Sequence, residues 1–98
     1  MILTPTLATP AARIGEQDPM GDFDTVMKNV LDFAAFTSPM NVSGAASMSV
    51  PLGQSAGGLP IASMFSGRKN DDLMLLALAY ELEQAKPWIG RIPKIVAS

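Results

Sequence analysis

The sequence predicts an α+β arrangement of two to three strands with two helices, and three features carry that expectation. Two apolar runs, SMSVPL at 47–52 and PIASMFS at 60–66, flank the Gly-rich GQSAGG, which is a hairpin pattern. Phe23, Val26, Met27, Val30, Leu31 and Ala34 recur at the i, i+3, i+4, i+7 spacing of one helix face. The run LMLLALAYELEQA, 73–85, consists almost entirely of strong helix formers.

Each element follows in order. Positions 1–21 read as a strand and then a loop: Pro5 and Pro10 cannot donate ladder hydrogen bonds, so the opening ILTPTLATP fades into extended chain. Gly15, Pro19 and Gly21 then punctuate an aperiodic connection. A helix is expected over 22–35, with Asp22 as its cap and Asp24 opposing the dipole in its first turn. FTSPMNVSG, with Pro39 and Gly44, reads as an irregular bridge with room for one short helical turn. The hairpin over 47–66 contains Pro51, whose missing N–H belongs at a sheet edge or a bulge.

The helix expected over 70–86 takes Asn70 as its cap and places Asp71 and Asp72 at the positive end of its dipole. Leucines at 73, 75, 76, 78 and 82 point in nearly all directions, so this helix is designed for burial on more than one face. Pro87 disfavours helical geometry in Lys86 and stops it there. The tail 87–98 lacks a period and is expected to wrap over a surface through Trp88 and Ile92.

Ninety-eight residues hold one small domain, which buries only about two thirds of its unfolded surface. The chain is 48% hydrophobic and only 16% charged, where a self-sufficient small domain carries about a quarter charged residues. The excess of apolar side chains therefore needs an external cover, and 1–98 is read as a single partial domain.

Charge excludes one class of partner. The net charge is −2, and the basic residues are scattered from Arg13 to Lys94 without forming a stripe, so no nucleic acid is expected. The opening has no unbroken apolar run of a secretory signal, and the stretch Leu73 to Tyr80 is far short of the roughly 20 residues that span a bilayer. No membrane is expected, and the setting is read as cytoplasmic.

Chemistry is limited by what is missing. With no Cys and no His, disulfides, thiolate nucleophiles and the commonest base and metal ligand are gone, and no cofactor or metal is expected. Ser47, Ser49, Ser63 and Ser66 lie in strand-like runs, where serine ordinarily bonds to backbone or across strands. A serine nucleophile would need a deprotonated lysine, and Lys28, Lys69, Lys86 and Lys94 all sit in polar or terminal surroundings that keep an ammonium charged. Asp71 with Asp72, and Asp22 with Asp24, are explained by helix dipoles. Gly53, Gly57 and Gly58 join strand to strand without a following Gly-Lys-Ser/Thr, so they form a turn and not a phosphate cradle. The seven methionines read as core filler.

FTSPMNVSGAASMSVPLGQSAGGLPIASMFSGR, followed by DDLMLLALAYELEQAKPW and RIPKI, resembles the C-terminal segment of the amidase signature family of serine hydrolases, and ILTPTLATP resembles the strand that precedes it there. The ordered series T-x-P-x-N-x-x-G, S-V-P-L-G, G-L-P-I, helix, A-x-P-W covers nearly the whole chain. Within the family the likeness is to bacterial amidases of the 6-aminohexanoate-cyclic-dimer-hydrolase type.

The resemblance implies a large α/β enzyme with a mixed central sheet, of which this chain is a portion. It also implies amide cleavage through an acyl-enzyme, with a Ser nucleophile, a second Ser in a cis peptide, a Lys base and a Gly/Ser-rich oxyanion loop. Those motifs belong to earlier parts of such enzymes and have no match here, so no catalytic residue is assigned. The family's pocket wall would draw on Phe36, Met40 and Asn41. Ala34 stands where relatives acting on glutaminyl-tRNA tend to have Asp, and Gly44, Ala45, Ala46 and Ser47 replace the usual Gly-Gln-Pro-Ala. After G-L-P-I, Ala62, Ser63 and Met64 replace the usual Gly-Val-Gln.

The resulting expectation is a structural fragment, inactive by itself, whose partner is the amino-terminal part of an amidase or a second copy of the chain. A non-catalytic dimerising module and an autonomous hydrolase are the alternatives.

Overall fold

A computed structural model describes residues 1–93; positions 94–98 of the expected tail, Lys94 among them, lie outside the described residues. Three strands and three helices follow one another as β1 (Ile2–Pro5), α1 (Phe23–Phe33), α2 (Ser38–Ser43), β2 (Ser47–Gln54), β3 (Pro60–Ser66) and α3 (Asp72–Ala85). The strands form one antiparallel sheet in the order β1-β3-β2, an α+β arrangement.

The hairpin joins β2 to β3 through a tight turn in which Ser55 N–H donates to Leu59 O at 2.8 Å and Gly58 N–H donates to Ser55 O at 3.0 Å. Gly58 supplies the positive φ of 89° that this turn requires. Ladder partners run from Ser47↔Ser66 to Val50↔Ser63, then slip by one residue to Gly53↔Ile61. β2 thus continues past Pro51 to Gln54, two residues beyond the apolar run, because a bulge absorbs the proline.

α1 starts where Asp22 Oδ2 accepts from Thr25 N–H at 3.2 Å. It ends at Phe33, because Ala34 leaves helical geometry and residues 34–37 form a turn, with Thr37 N–H donating to Ala34 O at 3.3 Å. The bridge that follows contains a full six-residue helix, α2. Pro39 falls in its first turn, where the missing N–H has no partner to lose, and Gly44 closes it at a φ of 71°.

α3 differs from expectation at its start. Asn70 does not cap it: Asn70 takes a φ of 70°, a left-handed conformation that asparagine tolerates, and Asp71 occupies the cap position. The Asp71 carboxylate turns back to accept from Arg68 N–H at 2.6 Å, so it fastens the β3–α3 turn and leaves the first amides of α3 without a side-chain partner. At the other end the Lys86 N–H still reaches Leu82 O before Pro87 stops the helix.

The core is very small. Among the described residues only Val50, Met64, Leu75 and Ser66 are buried. Val50 and Met64 lie on opposite faces of the sheet, since they are an odd number of steps apart in the ladder. On α3 the buried Leu75 is continued by half-buried Leu78, Ala79 and Leu82, whereas Leu73, Leu76 and Tyr80 form a second apolar stripe that is 82%, 64% and 66% exposed. The chain exposes 7601 Å², against about 5,400 Å² for a compact monomer of its mass. Its radius of gyration is 15.6 Å, against about 12.6 Å for a compact 98-residue domain.

Candidate functional site

Three serines of the hairpin, Ser47, Ser49 and Ser66, pair with other hydroxyls, whereas Ser55 Oγ accepts from Leu59 N–H. Ser47 Oγ and Ser66 Oγ lie 2.8 Å apart across the ladder, and Thr6 Oγ1 and Ser49 Oγ lie 2.7 Å apart. Both contacts join one face of the sheet, where Ser47, Ser49, Met64 and Ser66 stand in register. Such hydroxyl pairs satisfy cross-strand hydrogen bonding; a nucleophile needs a base instead. Thr4 Oγ1, on the same face, is buried without a hydrogen-bond partner.

Lys28 does not supply the base. Lys28 Nζ donates to Asp32 Oδ2 at 2.6 Å, one helical turn away on α1. That hydrogen bond, together with the carboxylate charge, raises the Lys28 pKa above the ordinary 10.5, which holds the amine protonated. Among the described residues no three carboxylates gather closely enough to hold a metal ion.

Phe36 and Met40 are half-buried and Asn41 is exposed. Phe36 lies in the turn between α1 and α2, and Met40 and Asn41 lie on α2 with their amides bonded back to Thr37 O. None of the three is among the residues that wall the three clefts that follow. A shallow apolar groove of about 600 Å³ beside them is walled by Leu31, Ala35, Pro39 and Val42. A cleft of about 460 Å³ lies between the chain leaving β1, from Pro5 to Ala11, and Pro60 to Ala62 of β3, with Ser49 at its border. A third, of about 520 Å³, lies between the hairpin end and the tail at Trp88, Arg91 and Ile92.

Arg91 is the residue that sequence reasoning passed over. Its Nη1 donates to Pro51 O at 2.6 Å and to Gly53 O at 3.2 Å, which pins the tail onto β2 at the bulge. A lone arginine in an aperiodic tail gave no signal of this. The partners are backbone carbonyls made available by a ladder irregularity.

Comparison with known proteins places this arrangement. The amidase family model matches residues 1–76. The putative amidase AmiC of Mycobacterium leprae (strain TN) is 43% identical over 88 residues, which cover 90% of this chain and 19% of that protein. The 6-aminohexanoate-cyclic-dimer hydrolase of Pseudomonas sp. (strain NK87) is 32% identical over 102 residues, covering 98% of this chain and 21% of that enzyme. A solved structure of 6-aminohexanoate cyclic dimer hydrolase superposes with a TM-score of 0.75 at 33% identity, over 94% of this chain and 20% of that one. The chain thus spans about a fifth of the length of the relatives it matches, and its sheet and helices are a portion of their fold. On the extent of the family match, the chain belongs to the amidase signature family.

Proposed function

We propose that this chain is the C-terminal structural part of an amidase that hydrolyses carboxamide C–N bonds through a serine acyl-enzyme, and that it has no activity by itself. One observation carries the reading: relatives match nearly all of this chain but only about a fifth of themselves, and the apolar surface left open here has the extent expected of a part removed from a larger body. The hydroxyl pairs and the protonated Lys28 agree with a chain that contributes framework. In the assembled enzyme, Phe36, Met40 and Asn41 form part of the pocket wall, and the setting is the cytoplasm. No helix among the described residues is long and apolar enough to cross a membrane.

The test is hydrolysis of a simple anilide and of 6-aminohexanoate cyclic dimer. The chain alone gives no turnover and takes no label from a fluorophosphonate probe. Mixed with an AmiC relative lacking the matching segment, it restores hydrolysis. Turnover or labelling with the chain alone would refute the proposal and revive an autonomous hydrolase. A tight dimer that ignores the truncated amidase would refute it in favour of a dimerising module.

A further inference from the structure

Of the lysines and arginines among the described residues, Arg91 alone is half-buried; Arg13, Lys28, Arg68, Lys69 and Lys86 are exposed. A cation withdrawn from water stays charged at low cost only where partners replace its hydration. Through Nη1, Arg91 meets two backbone carbonyls, Pro51 O at 2.6 Å and Gly53 O at 3.2 Å, and it pairs with no carboxylate among the described residues. Carbonyl dipoles replace part of the hydration and leave the charge unbalanced.

A guanidinium carries five N–H donors in one plane. With Nη1 committed to the carbonyls, the edge formed by Nε–H and the parallel Nη2–H has no acceptor among the described residues. That edge matches both oxygens of a carboxylate. Arg91 stands in the wall of the cleft of about 520 Å³ between the hairpin end and the tail, and no acidic side chain lines that cleft. Its volume falls in the range of roughly 300–1,000 Å³ typical of small-molecule sites. A turn closed by Arg91 N–H to Trp88 O at 3.0 Å places Trp88 at the same cleft, with Ile92 beside it and Leu59 on the hairpin side. Gln54 Nε2 spends one N–H on Gly58 O at 2.9 Å and has a second to offer at the cleft wall.

We propose that this cleft binds a small organic carboxylate, its two oxygens held by the Nε–Nη2 edge of Arg91 and its apolar part lying against Trp88, Ile92 and Leu59. A single cation among apolar walls fits a monoanion with a hydrocarbon part better than a phosphate, whose second charge would find no partner there. A side-chain carboxylate of another polypeptide presents the same chemistry, and the test separates the two sources. The site rests on Arg91 and its cleft, and stands whether or not the fragment reading does.

Hexanoate is titrated into the full chain, with emission of Trp88, the single tryptophan, as readout. A saturable change with a Kd on the order of 1 mM is expected, and uncharged hexanamide binds at least about tenfold more weakly. The Arg91 Nε–H resonance moves downfield with hexanoate and stays in place with hexanamide, a readout that a merely apolar cleft would not give. Arg91→Lys keeps a cation for the two carbonyls but lacks the planar edge, so its affinity for hexanoate falls at least about fivefold. Equal binding of hexanamide, or no saturable change up to about 50 mM hexanoate, would overturn the site. A stationary Nε–H resonance at saturation, or unchanged affinity in Arg91→Lys, would overturn the role of the Arg91 edge. Loss of hexanoate binding on addition of the AmiC relative lacking its matching segment would overturn the free ligand in favour of a side-chain carboxylate of that polypeptide.

Discussion

Leu75→Ala and Leu76→Ala, adjacent positions on one helix, separate the two roles of α3. Leu75 is 3% exposed and is the one fully buried residue of the helix, whereas Leu76, on the opposite stripe, is 64% exposed. Truncating Leu75 removes three buried carbons, worth about 2.4 kcal/mol at roughly 0.8 kcal/mol each. The cavity adds little in so open a structure, so the loss stays near the low end of the roughly 2–5 kcal/mol range for such changes. Leu76→Ala removes carbons that are already mostly in water and costs below about 1 kcal/mol. Urea unfolding of each variant, followed by far-UV circular dichroism, measures the difference at constant m-value. In the complex with a truncated amidase the ranking changes, because Leu76 is then buried too: its truncation weakens association by at least about tenfold, or roughly 1.4 kcal/mol. Equal losses for the two variants in the isolated chain would refute the two-stripe reading of α3.

Three further outcomes follow from individual contacts. Asp22→Ala removes the carboxylate that accepts from Thr25 N–H and lowers the helicity of α1, at a cost of about 1 kcal/mol by urea unfolding. Arg91→Ala frees the carbonyls of Pro51 and Gly53 and releases the tail, so the fluorescence of Trp88, the single tryptophan and a half-buried one, shifts to the red without loss of far-UV signal. Because its pairing with Asp32 raises the Lys28 pKa above 10.5, whatever stability the pair lends is fully present below 10.5 and is lost as pH rises through the higher folded value. An NMR titration of Lys28 Nζ therefore has its midpoint above the ordinary lysine value, and Asp32→Asn returns that midpoint toward it.

The parts of the fold legible in the sequence were those set by local period and turn chemistry. The Gly-rich segment between two apolar runs specifies a hairpin whatever surrounds it, and the leucine-rich run of α3 specifies a helix, of which one face is buried in this chain. Three details were decided by longer-range or competing bonds. α2 was concealed because Pro39 reads as a breaker, although a proline in the first helical turn loses nothing. Asn70 lost the cap because the β3–α3 turn needed a residue at positive φ and drew Asp71 to Arg68 N–H. The anchoring of Arg91 required knowing which carbonyls the bulge sets free. For the candidate pocket wall, sequence located Phe36, Met40 and Asn41 on one short stretch, but a wall has a shape only when its opposite side is present, and these residues alternate with those that wall the shallow groove.

The distribution of polar and apolar groups gives one physical reason for the small core and the open surface. A sequence that had to be stable alone would spend its apolar residues inward and its charges outward, yet here Leu73, Leu76 and Tyr80 face outward from α3, and Ile2 and Leu3 are exposed on β1. Burying the stripe of α3 alone would be worth on the order of 5 kcal/mol, comparable to the whole stability of a small domain. A free energy of that size left open at one side of a helix agrees with the fragment reading, in which the missing contacts lie in the same folded body.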